Sequence, residues 1–154
     1  MAEVTTYAVL LTTHSILRWL VIAAGLAAAV RAWRRASSSD VATSLSIEAR
    51  VFTVLFDLQV LIGLLLYFLL SPTTTAALPR FGSAMSNAVV RFWIIEHPFG
   101  MIVGLALAHI GRVKWRRARI PGARRRAAIY FSLAVLVVIV SVPWPFLPYG
   151  RPLL

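Results

Sequence analysis

Three histidines are the first candidates for chemistry in this sequence, because all of them lie inside long apolar segments. They are His14, His97 and His109. Ionisable groups at membrane depth cost roughly 2–4 kcal/mol each, so they rarely occur there without a partner or a function. Two facing imidazoles supply the axial ligands of a six-coordinate b-type haem, whereas a pair without a cofactor would only hydrogen-bond to neighbouring helices.

The composition assigns the chain to the membrane proteins. Of 154 residues, 60% are hydrophobic and only 14% are charged, with a mean hydropathy of +0.82. A single soluble domain of this length could not bury so much apolar surface. The chain has no cysteine, which excludes disulfides, thiolate metal sites and the covalent attachment of a c-type haem.

Four apolar segments are long enough to cross a bilayer. The predicted spans are residues 7–30, 51–70, 90–111 and 127–143. The first is too long for a signal peptide and has no basic region before it. The sequence therefore predicts an all-α fold with one transmembrane domain over residues 1–154, an integral membrane four-helix bundle. Residues 71–88 are expected to form a loop with room for a short helix.

The basic residues predict the orientation. Twelve of the sixteen Lys and Arg residues fall in two segments, 31–50 and 112–126, and three fall on the opposite side. Basic loops stay in the cytoplasm, which places both termini on the outer, periplasmic side. The net charge of +11 is therefore explained by topology and by contact with anionic lipid headgroups, and no recognition domain suggests nucleic-acid binding.

Depth in the membrane determines which histidines can meet. At 1.5 Å per residue, His14 lies about 10 Å below the outer surface if its helix begins near Tyr7. The third helix runs in the opposite direction, so His97 also lies about 10 Å deep if that helix enters near Val90. His109 lies about 18 Å further along, near the cytoplasmic face. The spacing predicts one haem b between His14 and His97, shielded by the bundle.

The neighbours of the two histidines suit this site. Arg18 is one turn from His14 on the same face, where it can meet a haem propionate or another carboxylate. Gly100 follows His97 by three residues and is expected to leave room for a flat ring. The cofactor-free alternative, in which both imidazoles hydrogen-bond to neighbouring helices, stays open.

Glu96 and Pro98 flank His97. Glu96 is expected to hydrogen-bond an imidazole or to form a salt bridge with Arg18. Pro98 cannot donate a backbone hydrogen bond, so it should kink the helix or leave the Ile94 carbonyl free.

Two patterns of residues predict helix packing. Gly100 and Gly104 form a small-xxx-small motif, which serves either packing within the bundle or a homodimer. Gln59, Gly63 and Tyr67 recur every four residues on the second helix, and we interpret this stripe as a packing face.

A second polar group is predicted nearer the cytoplasm. Asp57, about 9 Å inside that face, could neutralise Arg18, pair with His109 or Arg112, or serve protons or a quinone. Because three histidines allow only one bis-histidine haem, His109 is left to bind a quinone carbonyl, shuttle protons or cap the bundle.

Several motifs in order carry a resemblance to known proteins. They are His14-Ser15-Ile16-Leu17-Arg18-Trp19, Phe56-Asp57-Leu58-Gln59, Glu96-His97, His109-Ile110-Gly111-Arg112 and Pro143-Trp144-Pro145-Phe146. Through nearly its whole length the chain resembles a group of small four-span bacterial proteins usually described as cytochrome b-like. The resemblance implies a bundle in the bacterial inner membrane with haem b between His14 and His97. Larger two-haem cytochromes fit less well, because their pattern needs four histidines.

The sequence thus predicts a membrane haem protein that transfers electrons between quinol and a membrane or periplasmic partner. No dehydrogenase, oxygenase or hydrolase machinery is evident, so we expect a redox module or a subunit of a larger complex. One alternative is a cofactor-free accessory subunit with a buried ion-pair network of His14, Arg18, Glu96 and Asp57. A further alternative is a copper or proton carrier that uses His14 and His97.

Overall fold

The computed structural model describes residues 2–36, 47–117, 120 and 122–151, and these residues are mostly helical, without a β-strand. The α-helices in chain order are α1 (Ala2–Ala36), α2 (Ile47–Leu65), α3 (Pro72–Ala77), α4 (Phe81–Ala84), α5 (Ala88–Arg91), α6 (His97–Arg116) and α7 (Ala123–Ser141). A π-helical turn, Leu66–Leu70, ends α2, and a second one, Phe92–Glu96, joins α5 to α6. The all-α prediction is confirmed.

Three stretches are long and apolar enough to cross a membrane. They are Thr5–Ala36, Ile47–Leu70 and Ala88–Arg116, and they contain the first three predicted spans. The predicted fourth span falls on α7, whose first turn carries three consecutive arginines. The apolar part of α7, residues 127–141, is about 22 Å long, which is shorter than the ~30 Å hydrocarbon core.

Two predicted loops are shorter than expected because the helices continue into them. Helix α1 runs to Ala36, and Arg31 in its last turns forms a salt bridge with Glu48 of α2 at 3.3 Å. Arginine and alanine favour helix, and basic side chains at a helix C-terminus interact well with its dipole. The sequence Ser37-Ser38-Ser39-Asp40 predicts a polar linker, and these residues lie outside the described ones.

The second basic loop is also mostly helical. Helix α6 continues to Arg116 and α7 begins at Ala123. The dipeptide Pro121-Gly122 predicts a turn between the two helices. Gly122 has a φ of 73°, a left-handed conformation that favours glycine, and this agrees with a turn. Pro121 lies outside the described residues.

The four long helices contact one another in the order α1, α2, α6, α7, and α7 also packs on α1. At one end of the helices, the rings of Phe52 and Phe56 stack with centroids 5.8 Å apart, and Phe131 meets Phe52 edge-on. Fully buried alanines such as Ala28 and Ala127 let the helices approach closely around these rings. The aromatic core fills this end, and the cavities described below extend from Phe56 towards the other end.

The glycine strip of α6 serves this packing. A Cβ at Gly111 would lie 2.9 Å from the Phe131 ring, and one at Gly104 would lie 3.1 Å from Cζ of Phe56. The strip therefore lets α2 and α7 approach α6 within one chain. The homodimer offered as the alternative role of Gly100 and Gly104 stays a prediction.

Residues 71–88, predicted as a loop with a short helix, contain α3 and α4. The Ser71 hydroxyl caps α3 by accepting from the Thr74 amide, and Pro72 occupies the first helical position. Asn87 caps α5 by accepting from the amides of Val89 and Val90. These caps fix the polypeptide between Tyr67 and His97.

Candidate functional site

The imidazoles of His14 and His97 meet between α1 and α6. Their ring centroids are 6.3 Å apart and the ring planes are inclined by 72°. The two residues come from antiparallel helices, and they lie at one level as the depth calculation predicts. Both rings are partly buried.

A hydrogen bond from α7 orients His97. Its Nδ1 lies 2.8 Å from the backbone carbonyl oxygen of Ser141. Because a carbonyl only accepts, Nδ1 carries the proton and Nε2 keeps its lone pair. This is the arrangement that a ligating histidine uses to fix its tautomer. Ser141 was not predictable as part of the site from the sequence, where its position just before the Pro143-Trp144-Pro145 segment is the only signal.

Gly100 does not have the role that the sequence suggested. A Cβ there would collide with Oγ of Ser141 and lie 2.9 Å from its Cβ. The glycine therefore makes room for α7, and not for a flat ring. This close approach brings the Ser141 carbonyl within reach of His97, so Gly100 contributes to the site through helix packing.

His14 faces α2. The Gln59 side-chain Nε2 donates to the His14 backbone carbonyl at 3.0 Å. Nδ1 of His14 is buried and has no hydrogen-bond partner in the described part of the chain. A Cβ at Gly63 would lie only 3.1 Å from Cε1 of the same ring. The Gln59–Gly63–Tyr67 stripe, interpreted above as a packing face, therefore lines the histidine site.

Three adjoining cavities surround the two imidazoles, and both histidines line each one. One extends along α1 and α7 past Arg18 and Val142, the second towards Tyr7 and Thr74, and the third between α2 and α6 past Gly63. Their volumes are about 50, 70 and 40 Å³.

Two arginines line the first cavity. Arg18 is 8% exposed, and its guanidinium carbon lies 5.3 Å from the centre of the Trp19 ring. Arg151 lines both the first and the second cavity. Arg151 is one of the three basic residues on the predicted outer side, and nothing in the sequence shows that the tail folds back.

Glu96 makes neither of the contacts predicted for it. Its Oε1 accepts from Nε of Arg91 at 2.8 Å, and both side chains are more than 40% exposed. The π-helical turn explains this pairing, because residues five apart become neighbours where the helix takes i to i+5 hydrogen bonds. Glu96 is therefore adjacent to His97 in sequence, but its side chain lies on the outer surface of the helix and pairs with Arg91.

Asp57 pairs with His109, which is one of the alternatives left open by the sequence. Nε2 of His109 lies 2.8 Å from Oδ1 of Asp57, and the side chains are 44% and 48% exposed. The neighbouring Arg112 donates to the Thr53 hydroxyl at 3.0 Å. The pair lies twelve residues beyond His97 along α6, about 18 Å away, and forms a separate site.

In the part of the chain that the structure describes, no group of three or more His, Cys, Asp or Glu side chains could hold a metal ion. Haem iron does not need such a group, because the macrocycle supplies all but the two axial ligands. Comparisons with protein-family models, curated proteins and solved structures found no match to this chain.

Proposed function

We propose that this chain is a four-span protein of the bacterial inner membrane, with both termini on the periplasmic side. The three long apolar helices and the packing of α7 between α1 and α6 support this topology. So does the concentration of basic residues at one end of the helices. Large apolar side chains also point outwards, as lipid-facing positions require: Leu20, Phe99, Ile102, Leu136 and Val140.

We further propose that it binds one haem b with His14 and His97 as axial ligands. The observation that carries this proposal is the distance between the two rings. With metal–imidazole bonds of about 2 Å and a nitrogen roughly 1 Å from the centre of its ring, two axial imidazoles place their centroids about 6 Å apart. The separation of 6.3 Å agrees with this value. The buried Nδ1 of His14 and the lone pair on Nε2 of His97 are suitable donors.

The surrounding residues suit an electron carrier. Bound haem supplies one-electron redox chemistry. Apolar side chains from four helices (Val21, Phe56, Met101, Val138) line the first cavity and limit the access of water to it. The second ring nitrogen of His97 is already engaged with Ser141, so this ligand would need little reorganisation when the iron changes charge. The function we assign is electron transfer between quinol and a membrane or periplasmic partner.

The Asp57–His109 pair is our candidate quinone and proton site. Both side chains are almost half exposed on helices that we place in the bilayer, and a quinone can reach such a position through the lipid. The pair would hydrogen-bond a quinol hydroxyl, and each one-electron transfer from the quinol to the haem would release one proton that the carboxylate can accept and pass on. This second assignment depends on the haem site, because the electrons need an acceptor.

The cofactor-free alternative fits the contacts less well. It required Glu96 and Asp57 to join His14 and Arg18 in one buried network, but their carboxylates pair with Arg91 and His109 on exposed surfaces. A copper carrier would rest on two imidazoles alone, since no larger set of ligands surrounds them in the described residues. Both alternatives would give a protein without a haem spectrum.

Substitution of the histidines tests the proposal. His14→Ala and His97→Ala, purified in mild detergent, should each lose most of their haem in a pyridine haemochrome assay while retaining helical circular dichroism. His109→Ala, the matched control, should retain haem. Full haem content in both His14→Ala and His97→Ala would refute the axial assignment. A colourless wild-type protein from haem-replete cells would favour the cofactor-free subunit, or the copper carrier if copper binding depends on His97.

A further inference from the structure

The C-terminal segment after α7 folds back over the histidine site. The Arg151 amide donates to the Pro143 carbonyl at 3.1 Å, and the Gly150 amide donates to the Leu147 carbonyl at 2.8 Å. The ring of Tyr149 stacks on that of Phe92, with centroids 3.6 Å apart and planes inclined by 12°. These contacts fix the segment against the helices and bring Arg151 to the mouth of the cavities.

The Arg151 guanidinium is held in a defined orientation. Its Cζ lies 4.3 Å from the centre of the Trp93 ring, and its Nη1 donates to the Tyr7 hydroxyl at 3.4 Å. Stacking on an indole uses the face of the guanidinium, while the N–H donors lie in its plane. A guanidinium held in this way is ready to bind a carboxylate through two parallel hydrogen bonds.

The charged side chains that line the cavities are basic in the described residues. Arg18 and Arg151 both line the first cavity, on the side of α1 and α7, together with His14 and His97. Neither aspartate nor glutamate occurs among the described residues that line the three cavities. A guanidinium at the mouth of a cavity whose described lining contains no carboxylate favours an anionic ligand there.

We propose that Arg151 is a carboxylate anchor of the histidine site, positioned by Trp93 and Tyr7. Arg151 and Arg18 each bind one carboxylate of a flat dicarboxylate held between the imidazoles. This inference rests on the proposed function, because haem b carries two propionates on one edge. Arg151 would be a second anchor beside Arg18, and the C-terminal segment that carries it would cover one side of the site.

The test compares Arg151→Ala and Arg151→Lys with the wild type and with Arg80→Ala, whose arginine is exposed and does not line these cavities. All are purified as full-length haem-loaded proteins. We expect haem transfer to excess apomyoglobin to be about tenfold faster for Arg151→Ala, because a charge-assisted bidentate contact is lost. Arg151→Lys keeps the charge, so its rate of haem transfer should lie between the rates of the wild type and Arg151→Ala. The midpoint potential of Arg151→Ala should be lower than that of the wild type, because a cation near the haem is removed.

Haem dimethyl ester provides an internal control, since its carboxylates are masked. With this probe, Arg151→Ala and the wild type should release the macrocycle at the same rate. Equal release of native haem by Arg151→Ala, Arg80→Ala and the wild type would overturn the anchor while leaving the axial assignment intact. A tenfold difference that persists with the dimethyl ester would also overturn it. A wild type that takes up no haem would overturn both proposals.

Discussion

The hydroxyl of Tyr67 donates a hydrogen bond to the backbone carbonyl of Ile94 at 2.8 Å. In a regular α-helix this carbonyl would accept from the residue four positions later, which is Pro98 and has no N–H. Tyr67 therefore supplies the donor that the proline lacks. The contact joins α2 to the π-helical turn immediately before His97, so it helps to fix the backbone of the proposed ligand.

We predict that Tyr67→Phe lowers the free energy of unfolding by about 1–2 kcal/mol, because it leaves a partly buried carbonyl without its donor. Thermal unfolding in detergent, followed by circular dichroism, measures the change. The control is Pro98→Ala, which restores the backbone N–H. In that background Tyr67→Phe should cost much less, and an equal cost in both backgrounds would show that the hydroxyl does not compensate for the proline.

Gly63 is predicted to control the space for the His14 ring. A Cβ there would lie 3.1 Å from Cε1 of His14, so Gly63→Val should displace the imidazole and reduce haem content by about tenfold or more. A Cβ at Gly82 would meet no atom of the described chain within 4 Å, which makes Gly82→Val the matched control. Haem per protein is measured by pyridine haemochrome, and equal loading of the two variants would contradict the account.

Gly100 is predicted to act through the α6–α7 contact. Gly100→Ala should destabilise the protein by about 1–3 kcal/mol, as overpacking does in well-packed interfaces. Because the added Cβ would meet the Ser141 side chain, Ser141→Gly should remove most of this cost in the double variant. The unfolding midpoints of the wild type, the two single variants and the double variant test this prediction. If Gly100→Ala were equally destabilising with and without Ser141→Gly, a contact other than Ser141 would limit the space at Gly100.

Asp57 is predicted to matter for quinol oxidation but not for haem binding. Asp57→Asn removes the charge paired with His109 and should slow haem reduction by a soluble quinol by about tenfold or more. Glu48→Gln, which also removes a charge from α2, provides the control because Glu48 pairs with Arg31 at the end of the helices. Stopped-flow absorbance measures the rate, and an unchanged rate in Asp57→Asn would exclude the proposed quinone site.

Helix positions and their depth were predictable from the sequence, because the length of an apolar segment and the 1.5 Å rise determine both. That calculation placed His14 and His97 at one level, and the structure brings their rings together. The Asp57–His109 pair was one of several alternatives, since depth alone allows other partners for the same carboxylate.

Details that depend on rotation about a helix or on the path of the tail were not predictable. The π-helical turn before His97 changes which residues are neighbours, so Glu96 pairs with Arg91. The sequence offered an Ile94 carbonyl freed by Pro98 as one of two alternatives, but it did not indicate that Tyr67 would donate to this carbonyl. Arg151 reaches the cavities only because the proline-rich segment reverses direction, and hydropathy contains no signal for that.

The central claim is that His14 and His97 are the axial ligands of one haem b. The most direct measurement is the absorption spectrum of the purified wild-type protein, oxidised, dithionite-reduced, and reduced under carbon monoxide. We predict about one haem per chain, a sharp reduced α-band, and no change with carbon monoxide, because both axial positions are filled by imidazoles. A colourless protein, or one whose reduced haem binds carbon monoxide readily, would contradict the assignment.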